Sequence, residues 1–95
     1  MLHMLMSSPF NIDINSFFKL IKKEDDIISI QDGVIISIEK NVFIKKIICL
    51  SKNLYVLKED LEARGLVKKV SKNFLIINYS DFIDLTVKNV TQIRW

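Results

Sequence analysis

The chain has 95 residues, 49% of them hydrophobic and 26% charged, with a formal net charge of +3 from 14 basic and 11 acidic side chains. That length fits one domain over residues 1–95, since domains commonly run to about 100–150 residues. The single cysteine, Cys49, excludes an internal disulfide framework, and no apolar run approaches the roughly 20 residues that a membrane-spanning helix needs.

Residues 1–6 are apolar and stop at Ser7-Ser8-Pro9, a strand and a turn; without a basic leader, and too short for a signal core, they do not read as a targeting segment. Residues 15–23 set Phe17, Phe18, Leu20 and Ile21 among lysines at helical spacing, with Asp13 or Asn15 as the cap. The β-branched run 26–31 closes on Asp32-Gly33, a second strand and turn. Residues 33–39 suit either a buried helix or a strand, and their place between two strands favours a helix. Residues 42–50 carry apolar positions 43, 44, 47, 48 and 50 around Lys45 and Lys46, again helical.

Residues 53–57 form a third strand. A short helix over 59–65 follows, with acids in its first turn, Arg64 in its last and Gly65 ending it. Residues 73–79 read as a fully apolar strand, and 80–89 as a helix capped by Ser80 with Phe82, Ile83, Leu85 and Val87 apolar. Strands and helices therefore alternate. Near-continuous apolar strands point to a parallel sheet covered on both faces, a small doubly wound α/β domain of four to five strands.

In such a sheet, ligands and partners meet the loops that follow the strands. Here those loops carry Asp32, Asp60 and Asp81. Oxygen ligands gathered there could bind a divalent cation, but capping by Asp60, Ser80 and Asp81 and a turn at Asp32 account for them more simply. A phosphoacceptor receiver domain would want an acidic pair after the first strand, where this chain has Ser-Ser-Pro. No Gly-rich phosphate loop or Cys/His ligand spacing is present, so no cofactor and no metal is expected. His3, the only histidine, lies in an apolar strand with no nucleophile in view and reads as a buried structural residue. The basic charge is mostly lysine in scattered pairs, which gives little support to RNA binding.

LHMLMSSPF (2–10), QDGV (31–34), YVLKEDLEARGL (55–66) and INYSDFIDLTVKNVTQIRW (77–95) together resemble the TusB/DsrH family of bacterial sulfur-relay subunits, more closely its tRNA-thiolation branch. The resemblance implies the DsrE-like α/β fold and a cytoplasmic, non-catalytic structural and docking role. It implies assembly with homologous TusC-like and TusD-like subunits as a dimer of heterotrimers. Such a complex passes persulfide sulfur from a TusA-like carrier to a TusE-like one, for 2-thiolation of the tRNA wobble uridine. The transferring cysteine then belongs to the TusD-like subunit; direct tRNA contact is left open.

An apolar excess on a small chain fits such a complex, because a small domain cannot bury so much apolar surface alone. Candidate interface residues are His3, Phe10, Asp32, Asp60, Arg64 and Trp95. Trp95 is either a partner anchor or packs on its own domain, and Arg64 reads first as a helix-end charge. Cys49, flanked by Ile47, Ile48 and Leu50, is expected to be a small hydrophobe of the core. The alternatives are a persulfide carrier through Cys49, activated by Lys45, Lys46 and Lys52, and a small RNA-binding module.

Overall fold

A computed structural model describes residues 1–95. Strands β1 (Leu2–Leu5), β2 (Asp26–Ser29), β3 (Asn53–Leu57), β4 (Leu75–Ile77) and β5 (Gln92–Arg94) form one sheet in the order β4-β3-β2-β1-β5. Every pairing is parallel. Helices α1 (Ile14–Leu20), α2 (Ile44–Leu50), α3 (Lys58–Ala63) and α4 (Tyr79–Lys88) connect them, with 3-10 segments at Gln31–Ser37 and Val67–Lys69.

Side chains alternate across a strand, so strands β1 to β4 feed two cores. Leu5, Ile27, Leu54 and Val56 join Phe17, Phe18, Val34, Ile36, Ile44, Ile47 and Leu61 on the face covered by α1, α2, α3 and the first 3-10 segment. Leu2, Met4, Ile28, Leu57 and Ile77 pack with Leu85 of α4 on the other. The strand order explains the imbalance. From β1 to β4 the chain steps one way across the sheet, and only α4 crosses back over the opposite face to reach β5.

Local chemistry sets the ends of these elements. Asp13 caps α1, its carboxylate accepting from Ser16 N–H (3.3 Å) and Ser16 Oγ–H (2.7 Å), bonds that hold its pKa below the usual value. Helix α3 ends with Leu66 N–H donating to Leu61 O (3.0 Å) and Gly65 N–H to Glu62 O (3.2 Å), the two bonds of a Schellman ending, with Gly65 at φ 66°. The segment left open between helix and strand is helical, as 3-10 turns.

Several boundaries differ from the sequence reading. Helix α4 begins at Tyr79 and its cap is Asn78, whose side chain accepts from Asp81 N–H at 2.9 Å, so Ser80 lies inside the helix. Strand β4 is correspondingly shorter than the apolar run 73–79. Gln92–Arg94 forms a fifth strand whose sequence shows no apolar run; backbone pairing with β1 creates it. No helix is long and apolar enough to cross a membrane.

Candidate functional site

The loops after β2, β3 and β4 are tied together on the carboxyl edge of the sheet. Gln31, at φ 51°, donates its N–H to Asp60 Oδ2 at 2.6 Å. Arg64 donates through Nη2 to Asp32 Oδ1 at 3.0 Å and through Nη1 to Asp60 O at 3.2 Å, while Asp60 Oδ1 lies 3.9 Å away. Glu59 Oε2 accepts from Tyr79 N–H at 3.3 Å. Asp60 therefore does not cap α3, which has no side-chain cap; it holds the neighbouring loop instead. Asp32 is more than a turn residue and Arg64 more than a helix-end charge. The two form an ion pair between positions 32 residues apart in the chain. Two carboxylates on one guanidinium leave this exposed cluster acidic, a surface suited to polar or cationic partner groups.

Phe10, after β1, projects on the same edge with 64% of its surface exposed and its ring 5.3 Å from Phe43. No three His, Cys, Asp or Glu side chains gather anywhere as a metal-ligand set.

A buried polar chain runs through β1 from Trp95, at the carboxyl end of β5, to the amino edge of the sheet. His3 is fully buried in β1, Nε2 at 2.9 Å from Asp25 Oδ2 and Nδ1 accepting from Trp95 Nε1–H at 3.2 Å. Asp25 Oδ2 also accepts Lys22 N–H at 2.9 Å, and the Met1 amino group lies 3.6 Å from Oδ1. Burial pushes the Asp25 pKa up, but the hydrogen bonds from Lys22 and His3 and the nearby Met1 amino charge outweigh it and hold the carboxyl below its usual value. Trp95 is half-buried, stacked on His3 (6.3 Å between centroids) and edge-on to Phe17 (5.2 Å). His3 is thus the buried structural residue expected from its strand, and it offers no surface of its own.

Cys49 corrects the sequence reading: it is exposed. Ile44 and Ile47 turn inward from α2, and the helical repeat places Cys49 four residues after Lys45 and three after Lys46 on the solvent side. A run of aliphatic neighbours in a helix does not share one face.

Helix α4 carries two apolar stripes. Phe82 and Leu85 face the sheet, whereas Tyr79, Ile83 and Val87, spaced by four, are 58%, 41% and 78% exposed. Leu75 on the edge strand β4 is also exposed, and the outer edge of β4 pairs with nothing. Sequence reasoning missed this second stripe, although apolar residues at 82, 83, 85 and 87 are too many for one helix face. It also missed Asp25, hidden in the charged run Lys22-Lys23-Glu24-Asp25-Asp26.

A five-stranded parallel sheet in this order, with one helix alone on one face, defines a small α/β protein of the DsrE-like fold. Two solved structures share it. The solution structure of protein Tm0979 from Thermotoga maritima superposes with a TM-score of 0.64 at 29% identity, covering 94% of each chain. A protein of unknown function from Methanobacterium thermoautotrophicum reaches 0.70 at 8% identity, covering 99% of this chain and 96% of that one. A family model described as DsrH like protein matches residues 7–92, and the chain belongs to that family. Relatives named Protein TusB align over 100% of both chains, at 52% identity in Buchnera aphidicola subsp. Schizaphis graminum, 45% in Photorhabdus laumondii and 43% in Erwinia tasmaniensis.

Proposed function

We propose that this chain is a non-catalytic docking subunit of a TusBCD-type sulfur-transfer complex that serves 2-thiolation of the tRNA wobble uridine in the cytoplasm. Membership of the DsrH-like family and full-length likeness to proteins named TusB support a place in that sulfur relay. The observation that carries the docking role is the exposed apolar stripe Tyr79–Ile83–Val87 along α4. Exposed apolar side chains aligned along one helix suit a lasting protein contact. Its partners in this reading are TusC-like and TusD-like subunits in a dimer of heterotrimers, with TusA-like and TusE-like carriers reached through the complex. The domain is the whole chain, 1–95, and Phe10, Asp32, Asp60, Arg64 and Trp95 form a second candidate contact on the carboxyl edge.

Co-expression with the TusC-like and TusD-like chains tests this. The wild type is expected to co-purify in an assembly of defined mass, and Ile83→Glu with Val87→Glu to drop out while staying folded by circular dichroism. A wild-type chain that never co-purifies, or a double variant that assembles normally, refutes the reading.

The exposure of Cys49 favours a second reading, in which its thiolate attacks the outer sulfur of a donor persulfide and the donor thiolate leaves. Cys49→Ser separates the two: unchanged tRNA 2-thiolation retains the docking role and removes the carrier.

A further inference from the structure

The Trp95–His3–Asp25 chain has a directional logic of its own. An indole N–H can only donate, so Nδ1 of His3, 3.2 Å away, must accept. A neutral imidazole has one acceptor nitrogen, so the proton sits on Nε2 and is donated to Asp25 Oδ2 at 2.9 Å. The docked geometry thus specifies both the neutral form of His3 and its tautomer.

Protonation changes the two ends of the chain in opposite ways. Nε2–H still points at the Asp25 carboxylate, which stabilises an imidazolium. Nδ1 then carries a proton too, and it confronts the Trp95 N–H with no acceptor between them. We propose that Trp95 and His3 form a proton-operated latch: the indole docks on neutral His3 and is released when Nδ1 takes up a proton.

The surrounding groups leave this pair in control. From the start of the chain the Met1 amino group faces Asp25 at 3.6 Å, and from the turn before β2 Asp25 is the anion at the imidazole. Helix α1 contributes the uncharged Phe17 ring, 6.2 Å from His3 and perpendicular to it. From β2 the residue opposite His3 is Ile27, and Asp26 is engaged on the other face by Asn89 (2.9 Å) and Lys88 (3.4 Å). On β5, Arg94 pairs with Met4, whose side chain lies on the α4 face.

Release has a defined reach. Trp95 N–H donates to Met4 O (2.9 Å), and Trp95 O accepts from Met6 N–H (3.0 Å) and Ser7 N–H (3.2 Å). Loss of the indole anchor therefore loosens the end of β5 and the start of the loop leading to Phe10.

Trp95 is the only tryptophan, so its fluorescence reports this site alone. Acrylamide quenching of the full chain is followed from about pH 8 to about pH 5, the range in which imidazoles change charge. The wild type is expected to show a several-fold rise in quenching on acidification. His3→Gln should show none, because the amide offers N–H to Asp25 and C=O to the indole without titrating. A flat wild-type profile, or a His3→Gln variant that follows the wild type, overturns the latch. Should His3→Gln not fold, hydrogen exchange at the Met6 amide decides with Trp95→Phe. Acid-induced loss of protection, corrected for the intrinsic rate, should occur in the wild type and vanish in the variant; its persistence overturns the proposal. Neither readout needs a partner chain, so failure here is distinct from failure of the docking role.

Discussion

Gly33→Ala tests the packing that positions the carboxyl edge. Gly33 lies in the first turn of the 3-10 segment after β2, its N–H donating to Ile30 O at 2.9 Å, while Ile30 N–H donates to Leu5 O at 2.9 Å. A Cβ at Gly33 would overlap that same Leu5 carbonyl oxygen, lying 2.7 Å from the carbonyl carbon and 3.0 Å from Leu5 Cγ. Because the obstacle is backbone in a central strand, it cannot rotate away. Overpacking of a core costs about 1–3 kcal/mol, and a backbone clash belongs at the upper end. With 1 kcal/mol worth about 4–8 °C in a chain of this size, about 3 kcal/mol lowers Tm by more than about 10 °C. Gly65→Ala is the matched control. Gly65 has φ 66° but nothing within 4 Å of the added Cβ, so only the left-handed backbone is penalised, at about 1 kcal/mol. Thermal and urea unfolding of both variants, followed by circular dichroism, gives the comparison. A Gly33→Ala protein as stable as wild type, or less damaged than Gly65→Ala, would refute the reasoning.

Asp25→Asn should destabilise the protein at neutral pH by about 2 kcal/mol, since it weakens the bonds from the buried His3 and from Lys22. The folded pKa of Asp25 is lowered, so its stabilisation is present above the unfolded value of about 4 and lost as pH falls through the folded one. The gap between wild type and variant in urea midpoints should therefore close below about pH 4, and a gap that stays constant to about pH 2 contradicts this. Arg64→Ala removes an exposed ion pair and should change stability by less than about 1 kcal/mol while freeing the Asp32 loop, visible as faster amide exchange at Gln31 and Asp32. Ser29 is fully buried on β2 and its hydroxyl has no partner, so Ser29→Ala should be neutral or stabilising by about 1 kcal/mol in the same unfolding assay; a clear loss would reveal a bond the hydroxyl makes.

The alternation of the first four strands with helices, the parallel sheet and the edge on which Asp32 and Asp60 lie were legible from the chain alone, because apolar runs and turn residues act locally. So was the burial of His3, from its place among Leu2, Met4 and Leu5. What the chain does not spell out is phase and partnership. Cys49 looks like core when read among Ile47, Ile48 and Leu50, yet the helical repeat that buries Ile44 and Ile47 carries it into solvent. Asp25 reads as one charge in a solvated run until the fold brings His3 to it across 22 residues. Gln92–Arg94 has the sequence of a polar tail, and only hydrogen bonding to β1 makes it a strand. Local pattern thus determined most of the helices and the first four strands, and which edge would gather acids. The tertiary structure decided which side of α2 and α4 faces outward, and which buried groups meet, because both depend on contacts between residues far apart in the chain.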